Sequence, residues 1–340
     1  MRGALRERSG GRTTSGCARR ERRAARDQAR DAAILSPATS AIGLATYARH
    51  HCKPGTVAGY EAAGRLYLIP AFGRRDLRTI TRADVKQLVY ETLLPGRARA
   101  TVRANLAPLR ELFNHAIEDG IVASNPAAHV LKRMRGEKAR AARAPRFLTS
   151  AELCTLLATC RVQAPRWYPF VLTLARTGLR LGEALALRWD DVDLAAGIAV
   201  VRHAFWRGRL QAPKSGTGRR VDLSRQLVAT LEAIRADQRS AALWDGVVPS
   251  PWVFASAAGR PPDSDAFRRG PWRRLFVAAG IPYAWPHCLR HTYASLLIQN
   301  GESLAYVKAQ LGHRSIQTTV DVYGHLVSGA NRAAVDRLDD

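Results

Sequence analysis

The second half of the sequence contains charged side chains at spacings that could support chemistry on a phosphate group. Arg180 and Glu183, in the segment TGLRLGE, are three residues apart and would share one face of a helix. A guanidinium held by a carboxylate is oriented in advance, and its planar fork can bind two phosphate oxygens at once. Taken alone, the same spacing is also typical of an ordinary surface ion pair.

A histidine and an arginine show the same spacing further along the chain. His287 and Arg290, in PHCLRHT, would lie on the first turn of a helix that Pro286 can open. Repulsion between the two cations favours the neutral imidazole, which can exchange protons near neutral pH. For this pair alone, the alternative is a histidine that is hydrogen-bonded within the fold beside an exposed arginine.

Three further residues are candidates for reactive groups. Lys214 stands in APKSGTGRR, at the tip of a predicted hairpin, where its ammonium group could approach a departing oxygen. His313 follows Gly312, a glycine typical of a helix C-terminus. Tyr323, ten residues later in VDVYGHL, either packs at a helix end or acts as a nucleophile, and its own segment does not decide between the two.

The elements that must position these residues are predicted to be mainly α-helices with a small antiparallel β-sheet or hairpin, an α+β arrangement. The capping-box pattern of TSAE starts one helix, and Gly178 separates the next two. Residues 197–224 alternate apolar and polar positions around a glycine-rich turn, which predicts strands with a short returning strand. The helices that follow are predicted to end at glycines such as Gly301 and Gly312.

Residues 39–134 carry a helical pattern that predicts a small all-helical domain. One helix is expected to start at Thr56 and to stop at the Pro and Gly of IPAFG. A second has Thr81 as its N-cap, with Asp84 three residues on. The apolar stripe of a longer helix consists of Val102, Leu106, Leu109, Leu112, Phe113 and Ile117.

The charge of the chain points to a polyanionic partner. The 340 residues include 53 Lys and Arg against 28 Asp and Glu, a net charge of +25. Nucleic acid is the commonest partner for such a protein. Residues 1–38 contain ten Arg, four acidic residues and little that could form a core, which predicts disorder, and 135–147 are predicted to be a basic linker.

Cysteine usage and hydropathy bear on the compartment. The five cysteines lack any CxxC spacing, which favours reduced thiols over a disulfide framework or a zinc site. No apolar run approaches the length of a membrane span, and the Arg-rich start lacks the apolar region of a signal peptide. We therefore expect a cytoplasmic, nucleoid-associated protein with no membrane contact.

Taken together, five fragments form a sharper pattern than any of them alone. TGLRLGE, a lysine on a hairpin, HCLRHT, LGH and YGH occur in this order, and the domain that contains them resembles the tyrosine recombinase, or phage integrase, family. The resemblance covers residues 148–340, which would be the catalytic domain. The helical unit of 39–134 is similar to the family's core-binding (SAM-like) DNA-binding domain.

The resemblance implies a role for each phosphate-binding residue. Arg180 and Arg290 match the two arginines that hold the scissile phosphate, and His313 matches a histidine that hydrogen-bonds it. Glu183 matches an acidic position that orients its neighbours rather than reacting.

It also implies which residues form and break bonds. Tyr323 matches the nucleophile that becomes joined to the 3′ phosphate, Lys214 the lysine that protonates the leaving 5′ oxygen, and His287 a proton acceptor and donor. Two further histidines near the site, His291 and His325, are interpreted either as structural or as supporting the residues that react.

The physical chemistry of this set explains why no cofactor is expected. A free phenol has a pKa of about 10, so its ionisation near neutral pH costs roughly 4 kcal/mol. Nearby guanidinium groups are expected to lower that cost and to stabilise charge on the phosphorus, in the place that a metal ion takes in many nucleases. Since the sequence shows no cluster of carboxylates suited to two metals, we predict neither a metal nor an organic cofactor.

The expected partner is double-stranded DNA carrying attachment sites, bound by a homotetramer on paired sites, with accessory DNA-bending or directionality factors. The expected activity is site-specific integration or excision of a mobile element through a 3′-phosphotyrosine. Two alternatives use the same fold. A type IB topoisomerase-like enzyme would rejoin the same strand, and a non-catalytic DNA-binding regulator would form no covalent adduct.

Overall fold

The computed structural model describes residues 48–49, 52–133, 146–212, 218–256 and 258–326. Lys214, segment 1–38 and most of the predicted linker lie outside the described residues. The chain divides into two compact units, Met1–Arg143 and Ala144–Asp340. The division falls within the stretch predicted as a linker, while the exact domain bounds stay a prediction.

In the described part of the first unit, every regular element is a helix. Its helices are α1 (Pro54–Ala63), α2 (Ile69–Phe72), α3 (Arg82–Gln87), α4 (Arg99–Glu118) and α5 (Val130–Arg133). Two π-helical turns, Gly64–Leu68 and Leu88–Leu93, continue α1 into α2 and extend α3. Thr81 and Asp84 form the predicted capping box at the start of α3.

The first helix begins earlier than predicted but ends at the predicted glycine, since Gly73 is the C-cap of α2. It begins at Pro54 rather than Thr56, because proline is well suited to a first helical turn whose N–H groups have no intrahelical partner. Pro70 does not stop it. The wider π turn of Gly64–Leu68 just before Pro70 accommodates a ring that cannot donate a backbone hydrogen bond.

The core of the first unit lies along α4. The predicted stripe residues Val102, Leu106, Leu109, Leu112 and Phe113 are buried against the other helices of this unit. Ile117, the last member of the predicted stripe, is 38% exposed, since α4 ends at Glu118, one residue later.

The second unit combines more helices with two small sheets. Its described helices are α6 (Ser150–Gln163), α7 (Tyr168–Thr177), α8 (Leu181–Leu185), α9 (Arg225–Trp244), α10 (Ser264–Phe267), α11 (Arg273–Ala278), α12 (His287–Gln299), α13 (Leu304–Leu311) and α14 (Ile316–Tyr323). The predicted capping box of Thr149 and Glu152 starts α6. Among the described residues of both units, no helix is long and apolar enough to span a bilayer.

Both described sheets of the second unit are antiparallel. Strands β1 (Val192–Asp193), β2 (Ile198–Val201) and β5 (Arg219–Asp222) form one sheet in the order β1-β2-β5. Strands β3 (Ala204–Trp206) and β4 (Arg209–Gln211) form a separate hairpin. The mainly helical α+β fold is thus confirmed.

The β3–β4 hairpin was not expected from the sequence. Arg207 and Gly208 connect its strands with φ angles of 47° and 73°, the left-handed conformation that two-residue hairpin turns require. The predicted returning strand is β5, which pairs with β2 in the register Ala199 with Val221.

Two apolar clusters support the candidate site. The larger one packs aromatic rings of α7, α10, α11, the π-helical turn Arg268–Trp272 between α10 and α11, and the loop before α10. Among them are Phe170, Phe254, Phe267, Trp272 and Phe276. The smaller one joins α12, α13 and α14 through Tyr293, Ala294, Ile298, Val307, Leu311 and Tyr323. Hence α12, α13 and α14 have a common core in which Tyr323 takes part.

Candidate active site

Helix ends bring most of the predicted residues together. Arg180 is the N-cap of α8, His287 and Arg290 are on the first turn of α12, and Tyr323 is the last residue of α14. His313 lies in the turn between α13 and α14. The predicted helix-ending glycines that place these termini, Gly178, Gly301 and Gly312, have φ angles of 60°, 88° and 66°.

A buried carboxylate holds two arginines. Glu183 is 1% exposed, and its Oε1 accepts a hydrogen bond of 2.7 Å from Nη1 of Arg180. Its Oε2 accepts one of 2.7 Å from Nη2 of Arg219 on β5. The Arg180 side chain remains 27% exposed, so it is oriented by Glu183 and still reaches solvent.

The charge of Glu183 is stabilised by these partners. Burial alone would raise its pKa, but the hydrogen bond and charge of Arg219 and the charge of Arg180 outweigh burial and lower the pKa to about 2. The carboxylate is therefore ionised throughout the neutral range.

Arg219 is a site residue that was not predicted from the sequence. Besides its bond to Glu183, its Nε donates a hydrogen bond of 3.0 Å to the backbone oxygen of Gln310. Its Nη1 is buried and has no partner among the described residues. A signal existed: side chains two apart on a strand share a face, and Arg219 is two residues before the fully buried Val221.

Arg290 is anchored by two helix ends. The residue is 2% exposed, and its guanidinium donates 2.8 Å and 2.6 Å hydrogen bonds to the backbone oxygens of Gly178 and Leu311. Burial, followed by the charge of Arg180, lowers the pKa of Arg290 to about 9, which leaves it protonated at neutral pH. The site therefore contains a fixed cation beside the more exposed Arg180.

The histidines are neutral in this cationic environment. Partial burial, then the neighbouring His291, Arg290 and Arg180, lower the pKa of His287. Burial, then the charges of the arginines, lower the pKa of His313 to about 4. Nδ1 of His313 is 2.9 Å from the hydroxyl of Thr319, which fixes the orientation of this imidazole. The neutral imidazole predicted for His287 agrees with this direction.

Tyr323 is buried rather than exposed. The residue is 3% exposed, and it packs in the core shared by α12, α13 and α14. Burial raises the pKa of Tyr323 to about 12, and the charge of Arg290 offsets only part of this effect. The charge of Arg290 thus acts in the expected direction, but desolvation of the phenolate outweighs it, and the net pKa is raised.

His291, interpreted from the sequence as a structural or supporting residue near the site, contacts the tyrosine directly. Its Nδ1 is 2.8 Å from the Tyr323 hydroxyl oxygen, and its ring packs edge-on against His287 with centroids 5.0 Å apart. His291 follows Arg290 in the sequence, but nothing in that spacing reveals a contact between α12 and α14.

The described residues thus bring together Arg180, Glu183, His287, Arg290, His313 and Tyr323, with Arg219 and His291 added. Lys214 lies outside the described residues. Within the same ranges, no group of three or more His, Cys, Asp or Glu side chains is arranged to hold a metal ion. Chemically, the arrangement offers fixed cations for an anion and neutral imidazoles near a phenol.

Sequence comparison finds a family and several relatives. The model of the phage integrase family matches residues 146–328. The tyrosine recombinase XerD of Bradyrhizobium diazoefficiens is 31% identical over 72% of this chain and 77% of its own. The ICEBs1 integrase of Bacillus subtilis is 27% identical, over 79% of this chain and 73% of its own.

Structure comparison finds the same fold in DNA complexes. The Tn1549 transposon integrase, solved with a circular intermediate DNA, has a TM-score of 0.73 at 20% identity and covers 88% of this chain and 99% of its own. A lambda integrase dimer bound to a core site has a TM-score of 0.64 at 17% identity, covering 84% and 97%.

Proposed function

Since the chain belongs to the phage integrase family, we propose that it is a site-specific tyrosine recombinase that cuts and rejoins DNA through a 3′-phosphotyrosine at Tyr323. The observation that carries the proposal is a phenol that contacts the imidazole of His291 beside the buried, protonated Arg290. Its relatives include mobile-element integrases such as that of ICEBs1, which supports integration or excision as the biological reaction.

Phosphate binding is assigned to the arginines and His313. Arg180, oriented by Glu183, and Arg290, fixed by backbone oxygens, would bind the scissile phosphate before any bond changes. Because these groups are held in place by the fold, they stabilise charge on the phosphorus without rearranging during the reaction. The imidazole of His313, oriented by Thr319, would donate a hydrogen bond to the same phosphate.

The covalent step transfers a phosphoryl group from one oxygen to another. The phenolic oxygen of Tyr323 loses its proton to a neutral imidazole of the site and forms a bond to phosphorus. The bond to the 5′ oxygen breaks, and that oxygen takes up a proton from Lys214. His287 is assigned to proton exchange in the same step. Reversal with the 5′ hydroxyl of another strand rejoins DNA without ATP, since the phosphotyrosine conserves the bond energy.

The burial of Tyr323 limits the access of a phosphate to the proposed nucleophile. With Tyr323 only 3% exposed, a phosphate reaches its oxygen only after neighbouring side chains move. Adduct formation on DNA therefore includes an opening step, which would keep the phenol from reacting in the absence of substrate.

We further propose double-stranded attachment sites as the substrate and a homotetramer on paired sites as the active assembly. The lambda integrase, which shares the fold, has been solved as a tetramer bound to a Holliday junction with a TM-score of 0.62. Accessory DNA-bending or directionality factors belong to the same proposal.

Tyr323→Phe provides the decisive test. The phenyl ring keeps its packing in the shared core of α12–α14, so DNA affinity should stay within about twofold, while covalent adduct on a nicked suicide substrate should be lost. The attachment site for this substrate comes from the genomic junctions that flank the encoding gene. The reaction is run in EDTA, because arginines supply the positive charge.

The wild-type chain and Tyr90→Phe, an exposed tyrosine of the first unit, serve as controls and should both form the adduct. An adduct on Tyr323→Phe, or no wild-type adduct on proven cognate DNA, would contradict the proposal. The second result would favour the non-catalytic regulator.

A further inference from the structure

The proposed nucleophile has one side-chain hydrogen bond within the described part of the chain, and the partner is His291. Nδ1 of His291 lies 2.8 Å from the phenolic oxygen of Tyr323. The two rings are tilted by 52° with their centroids 5.8 Å apart. His291 lies on α12, one helical turn after His287, and faces the end of α14.

The hydrogen bond defines the direction in which a proton can move. The neutral phenol donates its O–H, so Nδ1 accepts, and the ring proton of His291 is then on Nε2. Burial, followed by the charge of Arg290, lowers the pKa of His291. The accepting, neutral form therefore persists to a pH below the ordinary value of 6.5.

The phenol needs such an acceptor. Because burial raises the pKa of Tyr323 to about 12, almost none of the phenol is ionised in advance at neutral pH. A base that removes the proton while the oxygen attacks avoids forming a free buried phenolate. Geometry is the first requirement for that base, and 2.8 Å satisfies it.

We propose that His291 is a catalytic residue that accepts the Tyr323 proton as the phenolic oxygen attacks the phosphate, an inference that rests on the proposed function. The phenolic O–H bond breaks, the O–P bond forms, and the proton moves to Nδ1. The resulting imidazolium keeps this proton through the covalent intermediate. It returns the proton to the phenolic oxygen when a 5′ hydroxyl displaces the tyrosine.

The other groups that face His291 do not replace it in this role. His287 and Arg290 are on the same helix, and His313 faces it from the turn before α14. His287 packs edge-on against the His291 ring, and no hydrogen bond joins His287 to Tyr323 in the described residues. Arg290 is protonated and cannot accept a proton.

The experiment separates attack by the phenol from departure of the 5′ oxygen. Adduct formation is timed on the cognate duplex and on a duplex in which sulfur replaces the bridging 5′ oxygen of the scissile phosphate. A thiolate departs without a proton, so only defects in the attacking group persist on the sulfur substrate. His291→Ala should slow adduct formation by about 100-fold or more on both duplexes.

Two variants serve as comparisons. His291→Asn keeps a hydrogen-bonding group near the Nδ1 position but cannot take up the proton, so it should also be slow. It distinguishes proton transfer from loss of the contact if His291→Ala fails to fold. His203→Asn changes a half-buried histidine of the same unit whose Nδ1 has no described partner, and it should react at the wild-type rate.

The pH profile adds a readout that a purely structural role would not change. Wild-type rates should fall as pH drops through the pKa of His291, since the protonated ring cannot accept. The His291→Asn variant should not show this fall in rate at low pH, and its adduct formation should be slow across the whole pH range.

The outcomes are distinct. Wild-type-like or faster adduct formation by His291→Asn on the sulfur duplex would overturn the inference, and a faster rate would show that the contact only restrains the phenol. Rescue of His291→Ala on the sulfur duplex would also overturn it, by placing the histidine at the leaving group. No adduct from the wild-type chain would instead remove the proposed function itself.

Discussion

At the scale of residues, the site stabilises buried charge through shared partners. Glu183 contacts Arg180 and Arg219, so removing it leaves Arg219, with a side-chain exposure of 8%, without its only anionic partner among the described residues. Breaking a buried pair costs more than the pair contributes, because an uncompensated charge remains.

Glu183→Gln should therefore lower the free energy of unfolding by about 3–5 kcal/mol at neutral pH. The pKa of Glu183 is lowered from 4.5 to about 2 on folding, so its ionised form stabilises the fold fully above pH 4.5. That contribution, about 3 kcal/mol, is lost as pH falls from 4.5 through 2. Urea unfolding of both proteins at neutral pH and at acidic pH measures the difference, which should shrink in acid.

Glu232→Gln, on the exposed side of α9, is the control and should change stability by less than about 0.5 kcal/mol. An equally small effect of Glu183→Gln would mean that the carboxylate does not hold the two arginines.

Residue types and spacing along the chain predicted most of this site. Arg180 with Glu183 and His287 with Arg290 could be found because each pair sits within one helical turn. His291 with Tyr323, and Arg219 with Glu183, join residues 32 and 36 positions apart. Such contacts depend on how α12 meets α14 and how β5 meets α8. The periodicity of a single segment carries no information about these tertiary contacts.

At the scale of elements, helix-ending glycines bring the site together. Gly178 has a φ of 60°, and a Cβ added there would lie 2.6 Å from the Tyr293 ring and 2.9 Å from a Leu311 methyl group. The same glycine offers its backbone oxygen to Arg290. The chain reversal after α7 therefore requires both the left-handed conformation and the absence of a side chain.

Gly178→Ala should combine two penalties. The left-handed conformation costs an alanine about 1 kcal/mol, and displacing Tyr293 and Leu311 adds about 1–3 kcal/mol. Gly280→Ala is the matched control, since Gly280 has a φ of 66° with nothing within 4 Å of an added Cβ. Denaturant unfolding of both variants isolates the packing contribution, and equal losses would contradict it.

Element types were predictable where caps and glycines mark them, as with the capping boxes of Thr81 and Thr149. Pro70 misled the prediction because a π turn absorbs its ring within the helix. The β3–β4 hairpin was missed since Arg207, rather than a glycine, takes the first left-handed position of its turn.

At the scale of the whole molecule, a net charge of +25 makes DNA binding dependent on salt. Each phosphate that the protein neutralises releases counterions and adds about 0.9 to the slope of log affinity against log salt. The positive balance of the sequence predicts the direction of this dependence, while the size of the slope is set by the number of side chains that reach phosphates.

Affinity for the attachment site should fall by about 1,000-fold or more between 50 and 200 mM salt, as for six or more phosphate contacts. Fluorescence anisotropy with a labelled duplex measures the slope, and Tyr323→Phe should show the same slope as the wild-type chain. A salt-independent affinity would contradict binding through phosphates.

The anchoring of Arg290 affects how its variants must be interpreted. Its guanidinium joins the end of α7 to the end of α13, so a shorter side chain leaves the buried oxygens of Gly178 and Leu311 without their donor. Inactivity of an Arg290→Ala protein would be explained equally well by local disruption of the fold and by loss of phosphate binding. The partly solvent-facing Arg180 is the arginine whose removal gives the cleaner measure of what a guanidinium contributes to the reaction.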